Sequence, residues 1–297
     1  MLKIIEKKKI WFLISSVLII IGLLFGIFRG LNFGIDFLGG TELVLQMNDS
    51  FNKEEADDIV KNYASDAVTN TSGNNQYEIK SSDLTSDSLG KLVSELKTKY
   101  SLEDNPIVSQ DEIGASIGND LKKNAIIALL IAFVAMTIYI AIRFKLDYGI
   151  AALVALFHDI AITMSVYAIF HIPINTPFIA AVLTIICYSM NDTIVIFDRI
   201  RENKRIFRSK SNTEVADISL TETMSRSINT SLVTLFSIIA VYVFVPSVRD
   251  FTFPIIIGVI SGAYSSIFIA APVWVLIRDR KNKNGIKEVK KTEEVTV

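Results

Sequence analysis

Six stretches of this sequence are each apolar over enough residues to cross the roughly 30 Å hydrocarbon core of a bilayer, which takes about 20 helical residues. They cover residues 10–28, 125–142, 148–170, 177–197, 228–245 and 253–277. A chain of 297 residues has the length of one or two soluble domains, but 51% hydrophobic residues gathered into these blocks exclude that reading. The first block follows Lys7, Lys8 and Lys9 and carries no charge across its whole length. It is longer than the roughly 7–15 residues of a signal-peptide core and no small-residue cleavage site follows, so it is expected to remain as an anchor.

Charge placement predicts the orientation. With the amino terminus inside, the inner segments hold 20 of the 30 Lys and Arg residues, and the short outer loops 171–176 and 246–252 hold Arg249 alone. Lys122 and Lys123, just outside the second span, run against the rule. Both termini are expected on the cytoplasmic side. The segment 29–124 then lies outside, with 17 acidic and 9 basic residues. Its pattern reads as a strand over 41–47, an amphipathic helix over 53–68, a turn cluster over 70–75, a strand over 76–81, a helix over 86–100 and a strand over 106–113. The expected fold is an α-helical polytopic membrane protein: a six-span bundle with a small α+β extracytoplasmic domain between spans one and two. The divisions are 1–28 (amino terminus and span one), 29–124 (outer domain), 125–277 (five spans with a basic loop at 198–227) and 278–297, a solvated Lys- and Glu-rich tail.

The net charge of −1 points to no nucleic-acid partner. The lone Cys187 excludes an intrachain disulfide and is expected to be a buried small hydrophobe. Transporters are commonly built from two repeated halves, and this chain shows only one, which favours a separate partner.

Ionisable residues within a span cost roughly 2.5–3.5 kcal/mol each on insertion scales and are functional candidates for that reason. Span three carries His158 and Asp159 near its middle, span four carries Asp192, and Arg226 stands at the edge of span five. Helical spacing places Thr184, Tyr188, Asp192 and Arg199 on one side of span four, and Arg226, Thr230, Thr234 and Ser237 on one side of span five. Such stripes suit a partly hydrated path through a bundle. The hydroxyls serve equally well as helix-to-helix glue, whereas Asp192 is too costly for glue alone. His158 and Asp159 read either as a hydrogen-bonded structural pair or as a proton-titratable one. Arg226 reads either as an interfacial anchor or as the partner of an intramembrane carboxylate. The spacings Gly22–Gly26 and Gly258–Gly262 read as close helix packing.

Several motifs in order carry a resemblance. Gly34-Ile35-Asp36-Phe37-Leu38-Gly39-Gly40, just after span one, resembles the GxDFxGG signature of the SecD/SecF family. Residues 183–203 (LTIICYSMNDTIVIFDRIREN) resemble that family's most diagnostic SecF stretch. His158-Asp159, the run 226–231 (RSINTS), and Gly114 and Gly118 before span two follow in the right places. The likeness covers about residues 31–277, and Cys187 departs from it where many relatives have glycine. A phosphate-cradling role for the glycine-rich run is excluded by its context, since it leads from a span into a strand instead of from a strand into a helix. A turn docking the outer domain onto the bundle is expected, with Asp36 as a cap or turn partner.

The resemblance implies a bacterial plasma-membrane subunit that pairs with a six-span SecD-like protein in a twelve-span assembly surrounded by membrane lipid. That assembly associates with the SecYEG channel and helps draw preproteins across the membrane on an ion gradient, with no enzyme activity, cofactor or metal implied. The family's ion-coupling Asp of span four and Arg of span five fall on Asp192 and Arg226. Two rival readings remain: a passive scaffold of the export channel, and an intramembrane aspartyl protease using Asp159 and Asp192. The second lacks the YD and GxGD contexts, and no HExxH or GxSxG occurs.

Overall fold

A computed structural model describes residues 3–49, 51–72, 75–245 and 248–281. The tail expected over 278–297 lies for the most part outside the described residues. Helix α1 (Lys8–Phe28) leads through a short helix, α2 (Ile35–Leu38), into a four-stranded sheet. The strands are β1 (Gly40–Gln46), β2 (Val68–Ser72), β3 (Gln76–Ser81) and β4 (Ile107–Ile113), in the order β2-β3-β1-β4, and every neighbouring pair is antiparallel. Two helices, α3 (Lys53–Tyr63) and α4 (Ser86–Tyr100), cover one face.

The alternation of the strands decides which face is covered. Leu43 pairs with Ile79 and Leu45 with Tyr77, and all four are fully buried against Val60 of α3 and Leu92 and Leu96 of α4. Asn52 caps α3 through the Glu54 amide (3.0 Å), and Thr85 with Ser88 forms a reciprocal capping box on α4. Asp57 accepts hydrogen bonds from Lys53 (2.5 Å), the Thr69 hydroxyl (2.6 Å) and the Tyr77 hydroxyl (2.7 Å), tying α3 to β2 and β3.

Two local expectations are corrected. The helix read over 53–68 ends at Tyr63, where Ala64 turns extended, and the turn cluster read over 70–75 contains most of strand β2. The run Val-Thr-Asn-Thr-Ser mixes β-branched with turn-forming residues, so its local preference is ambiguous. Pairing with β3 in the register Val68 opposite Lys80 and Thr69 opposite Ile79 decides it.

The membrane part adds α5 (Ala115–Arg143), α6 (Leu146–Phe170), α7 (Thr176–Ile206), α8 (Asn212–Phe244) and α9 (Arg249–Ser265). A π-helical turn, Ser266–Ala270, carries α9 onward within a continuous span, Arg249–Lys281. Among the described residues, six helices are long and apolar enough to cross a membrane: Ile5–Phe28, Ile117–Ile140, Leu146–Phe170, Thr176–Ile206, Asn212–Phe244 and Arg249–Lys281. At 1.5 Å per residue, the 31 residues of α7 reach about 46 Å, so its charged end continues well past a hydrocarbon core.

Spans three, four and six form the interior, while spans one, two and five turn most of their apolar side chains outward. Close approach in the interior depends on small residues. A Cβ at Gly258 would stand 2.3 Å from the Ile185 side chain, one at Gly22 would stand 2.2 Å from Ser165, and one at Gly262 would stand 3.1 Å from Ser189. The Gly22 and Gly258 ends of the two spacings therefore seat neighbouring helices. Cys187, expected to be buried, is exposed, because it lies on the side of α7 that no other helix covers.

At one end of the bundle, buried carboxylates tie the helices together. Asp147 pairs with Arg278 (2.7 Å) and Lys281, joining the start of α6 to the end of the sixth span. Asp217 of α8 accepts the backbone amides of Ile4 (3.0 Å) and Ile5 (3.1 Å), pinning the segment before α1.

Candidate functional site

Asp159 lies at the centre of the interior with no exposed surface. Its oxygens accept hydrogen bonds from Ser189 of α7 (2.5 Å) and from Ser261 (2.7 Å) and Ser265 (2.8 Å) of α9. His158 Nδ1 stands 3.1 Å from the same carboxylate, and Nε2 stands 2.8 Å from the Ser15 hydroxyl of α1. Ser15 donates onward to the Tyr264 hydroxyl (3.3 Å), which donates to the Trp11 carbonyl (2.9 Å), and the His158 ring stacks on Tyr264. The carboxylate and the histidine beside it thus tie together four helices, α1, α6, α7 and α9. A buried network satisfied at each member holds its geometry firmly. The sequence identified His158 and Asp159 but none of the serines. Ser261 and Ser265 are one turn apart on one face, which is the signal that marks them once a partner is known.

Asp192 is held differently. It is 4% exposed, yet its one hydrogen bond among the described residues is a 3.4 Å contact from Ser231 of α8. The Arg226 guanidinium lies within Coulombic reach of it, but Arg226 is exposed and makes no ion pair within 4 Å among the described residues. Among the described residues, Asp159 and Asp192 share no hydrogen-bond partner. Around Asp192 the two stripes meet in part. The Tyr188 hydroxyl donates to Thr234 (2.8 Å) and to the Thr230 carbonyl (3.2 Å), bridging α7 to α8. Thr184, Thr230, Thr234 and Ser237 each donate to a carbonyl one turn back in their own helix. Thr184 stays exposed, and Arg199 turns to Glu222 and Glu202 (2.7 Å each).

The glycine-rich run connects the α+β domain to the amino-terminal end of α7. The Asp36 carboxylate accepts the backbone amide of Thr176 (2.7 Å), so it caps α7 across 140 residues of sequence. The Gly34 amide donates to the Ile174 carbonyl (2.9 Å), and a Cβ at Gly34 would fall 1.7 Å from the Asn175 side chain. Gly39 (φ +84°) and Gly40 (φ +148°) hold left-handed backbone that turns the chain into β1, and a Cβ at Gly40 would meet the Ser81 carbonyl at 2.5 Å. Phe37 packs with Tyr167, Ile174 and Phe178 in the bundle, and its carbonyl sits 3.0 Å from where a Cβ at Gly118 of α5 would be. Asp36 acts as a cap for α7, not for its own turn.

Comparison with known proteins agrees with these motifs. The profile of the C-terminal region of SecD/SecF protein export membrane proteins matches residues 93–280, and that of the SecD/SecF GG motif matches residues 25–50. The protein translocase subunit SecF of Sebaldella termitidis is 36% identical over 97% of this chain and 97% of its own. The SecF of Calditerrivibrio nitroreducens is 36% identical over 93% of this chain and 94% of its own. The crystal structure of SecDF, a translocon-associated membrane protein from Thermus thermophilus, superposes with a TM-score of 0.80 at 29% identity, covering 94% of this chain. This chain spans 39% of that longer one.

Proposed function

Because this chain belongs to the SecD/SecF family of protein export membrane proteins, on its SecF side, we propose that it is the ion-coupled half of a two-part device that promotes preprotein movement across a bacterial membrane. Its complement is a SecD-like six-span subunit, a reading supported by the SecDF chain, of which this chain spans 39%. The pair works beside the SecYEG channel, with the α+β domain on the extracytoplasmic side and both termini cytoplasmic, as the Lys and Arg distribution favours.

The observation that carries the mechanism is the weak hold on Asp192. A carboxylate buried at hydrocarbon depth with one long hydroxyl contact has little to lose when its charge changes. A gradient supplies roughly 2.3 kcal/mol per charge per 100 mV. In this reading, deprotonated Asp192 attracts Arg226 and draws the α7–α8 pair together, and protonation releases them. Asp36 and Gly34 join the domain to the head of the same helix, so movement of α7 is delivered to the domain. The knot at Asp159, which holds α7 through Ser189, is the fixed pivot about which α7 turns.

The test is reconstitution of the chain in vesicles with a SecD-like subunit and the Sec channel. Asp192→Asn is expected to remove the part of preprotein transport that responds to an imposed gradient and to leave the remainder. An Asp192→Asn complex that responds to the gradient as fully as the parent would overturn the proposal.

A further inference from the structure

Helix α8 treats its hydroxyls in two ways. Ser219, Thr221, Thr223, Thr230, Thr234 and Ser237 each donate to the carbonyl one turn back, at 2.7–3.0 Å, which is how a hydroxyl is commonly satisfied inside a helix. Ser227 and Ser231 do not. Ser231 reaches across to Asp192 at 3.4 Å, and the Ser227 hydroxyl, on a residue only 1% exposed, has no hydrogen-bond partner among the described residues. A buried hydroxyl left unsatisfied is costly, so its placement calls for a reason.

Its level in the bundle supplies one. Side chains of α7 and α8 form rungs: Asn203 to Ser219 (3.0 Å), Arg199 to Glu222 (2.7 Å), Asp192 to Ser231 (3.4 Å) and Tyr188 to Thr234 (2.8 Å). In sequence order, Ser227 falls between the second and third. A cavity of about 730 Å³ runs from the end where α7 and α8 are connected, past Arg201, Glu202 and Arg205, and reaches Val195, Thr223 and Arg226 beside the Ser227 turn. Thr223, Ser227 and Ser231 follow at four-residue intervals on one buried face of α8. Each step rises about 6 Å, the gap that one water molecule spans with two ordinary hydrogen bonds. The charged groups along this stretch are Asp192, Asp198 and Arg199 of α7 and Glu222 and Arg226 of α8, while residues 252–277 of the sixth span are uncharged.

We propose that Ser227 is the proton relay between Asp192 and this cavity. The relay rests on the reading that Asp192 exchanges a proton during transport. The neutral acid gives its proton to a bridging water, the water passes one to the Ser227 oxygen, and Ser227 releases its own hydroxyl proton to water in the cavity. One proton has then left Asp192 for the cavity, and Asp192 alone has changed charge. A hydroxyl suits the task because it donates and accepts at once, whereas a back-bonded hydroxyl has its proton committed. Hard cations are held by several oxygens together, and the hydroxyls here are spread one to a turn.

The experiment is gradient-driven preprotein transport by the full chain, reconstituted with a SecD-like subunit and the Sec channel, in light and heavy water. Thermal midpoints of the same purified variants are read in detergent. Ser227→Ala is expected to slow the gradient-dependent part roughly tenfold and to enlarge its slowing in heavy water, since the broken hop becomes limiting. Its midpoint should hold or rise, because the lost hydroxyl bonded nothing. Ser227→Thr, which keeps the hydroxyl, should restore most of the rate. Thr137→Ala, which removes a back-bonded hydroxyl from α5, should leave transport unchanged. An unaltered rate in Ser227→Ala, where Asp192→Asn still abolishes the gradient response, would overturn the relay alone. A loss matched by a lower midpoint, or not relieved by Ser227→Thr, would make the residue a packing element. An equal loss when a sodium gradient drives transport at fixed pH would give the path to a metal cation. An undiminished gradient response in Asp192→Asn would remove the underlying reading and the relay with it.

Discussion

Asp159 and Asp192 stand on neighbouring helices, both nearly shut off from the surface, and are held in opposite ways. Asp159 receives three serine hydroxyls from two helices and faces a histidine, with distances between 2.5 and 3.1 Å. Asp192 receives one hydroxyl at 3.4 Å, with an arginine in reach but not bonded. In the proposed mechanism the number of donors preorganised around each group, not its burial, separates a structural Asp159 from a switching Asp192. A site with three hydroxyl donors resists any change of charge or position, because every partner would be left unsatisfied. A site with one has freedom to rearrange.

The comparison breaks most visibly if Asp159 is removed. Asp159→Ala strands three serines and His158 in the interior and is expected to cost about 3–5 kcal/mol, read as a lower thermal midpoint of the purified chain in detergent. A variant as stable as the parent would show that the knot holds nothing. A smaller effect is expected at the link between domain and bundle. Asp36→Ala deletes the cap on α7 and should cost about 1–2 kcal/mol, with faster hydrogen exchange at the Thr176 amide.

A third carboxylate sharpens the point outside the membrane. Burial first, and then a hydrogen bond shared with Glu78, push the Glu42 carboxyl up to about 7, against the opposing pull of Lys80. The folded domain therefore holds this proton more tightly than the unfolded chain does. The associated stability is fully present below about pH 4.5 and is lost as pH rises through about 7. Glu42 is only partly shielded, so the effect is of order 1 kcal/mol, and Glu42→Gln should flatten that part of the stability profile. The smallest effect is expected at Asp192 itself. Asp192→Asn should shift the thermal midpoint by no more than about 0.5 kcal/mol equivalent, because a single long contact is all it loses.

The spans and the α+β domain were readable because apolar length and strand alternation are local properties. Strand β2 was not, since Val68, Thr69 and Asn70 acquire their conformation from pairing with β3. The site was legible in its charges, as Asp159, Asp192 and His158 stand out against hydrocarbon. Its serines were not, because a hydroxyl in a span is common and only the convergence of Ser189, Ser261 and Ser265 on one carboxylate gives them meaning. Asp36 showed a similar limit: its type announced a cap, but the helix it caps begins 140 residues later.

In the proposed mechanism one of the two buried acids, Asp192, changes charge and the other, Asp159, does not. Infrared difference spectroscopy of the reconstituted complex across a pH step reads this directly through the carboxylic C=O stretch. On a Glu42→Gln background, which removes the outer-domain carboxyl that also titrates near 7, one such band is expected, and it vanishes when Asp192→Asn is added. A band of undiminished intensity in Asp192→Asn would mean that the titrating group lies elsewhere, and the division between fixed and switching carboxylates would fail.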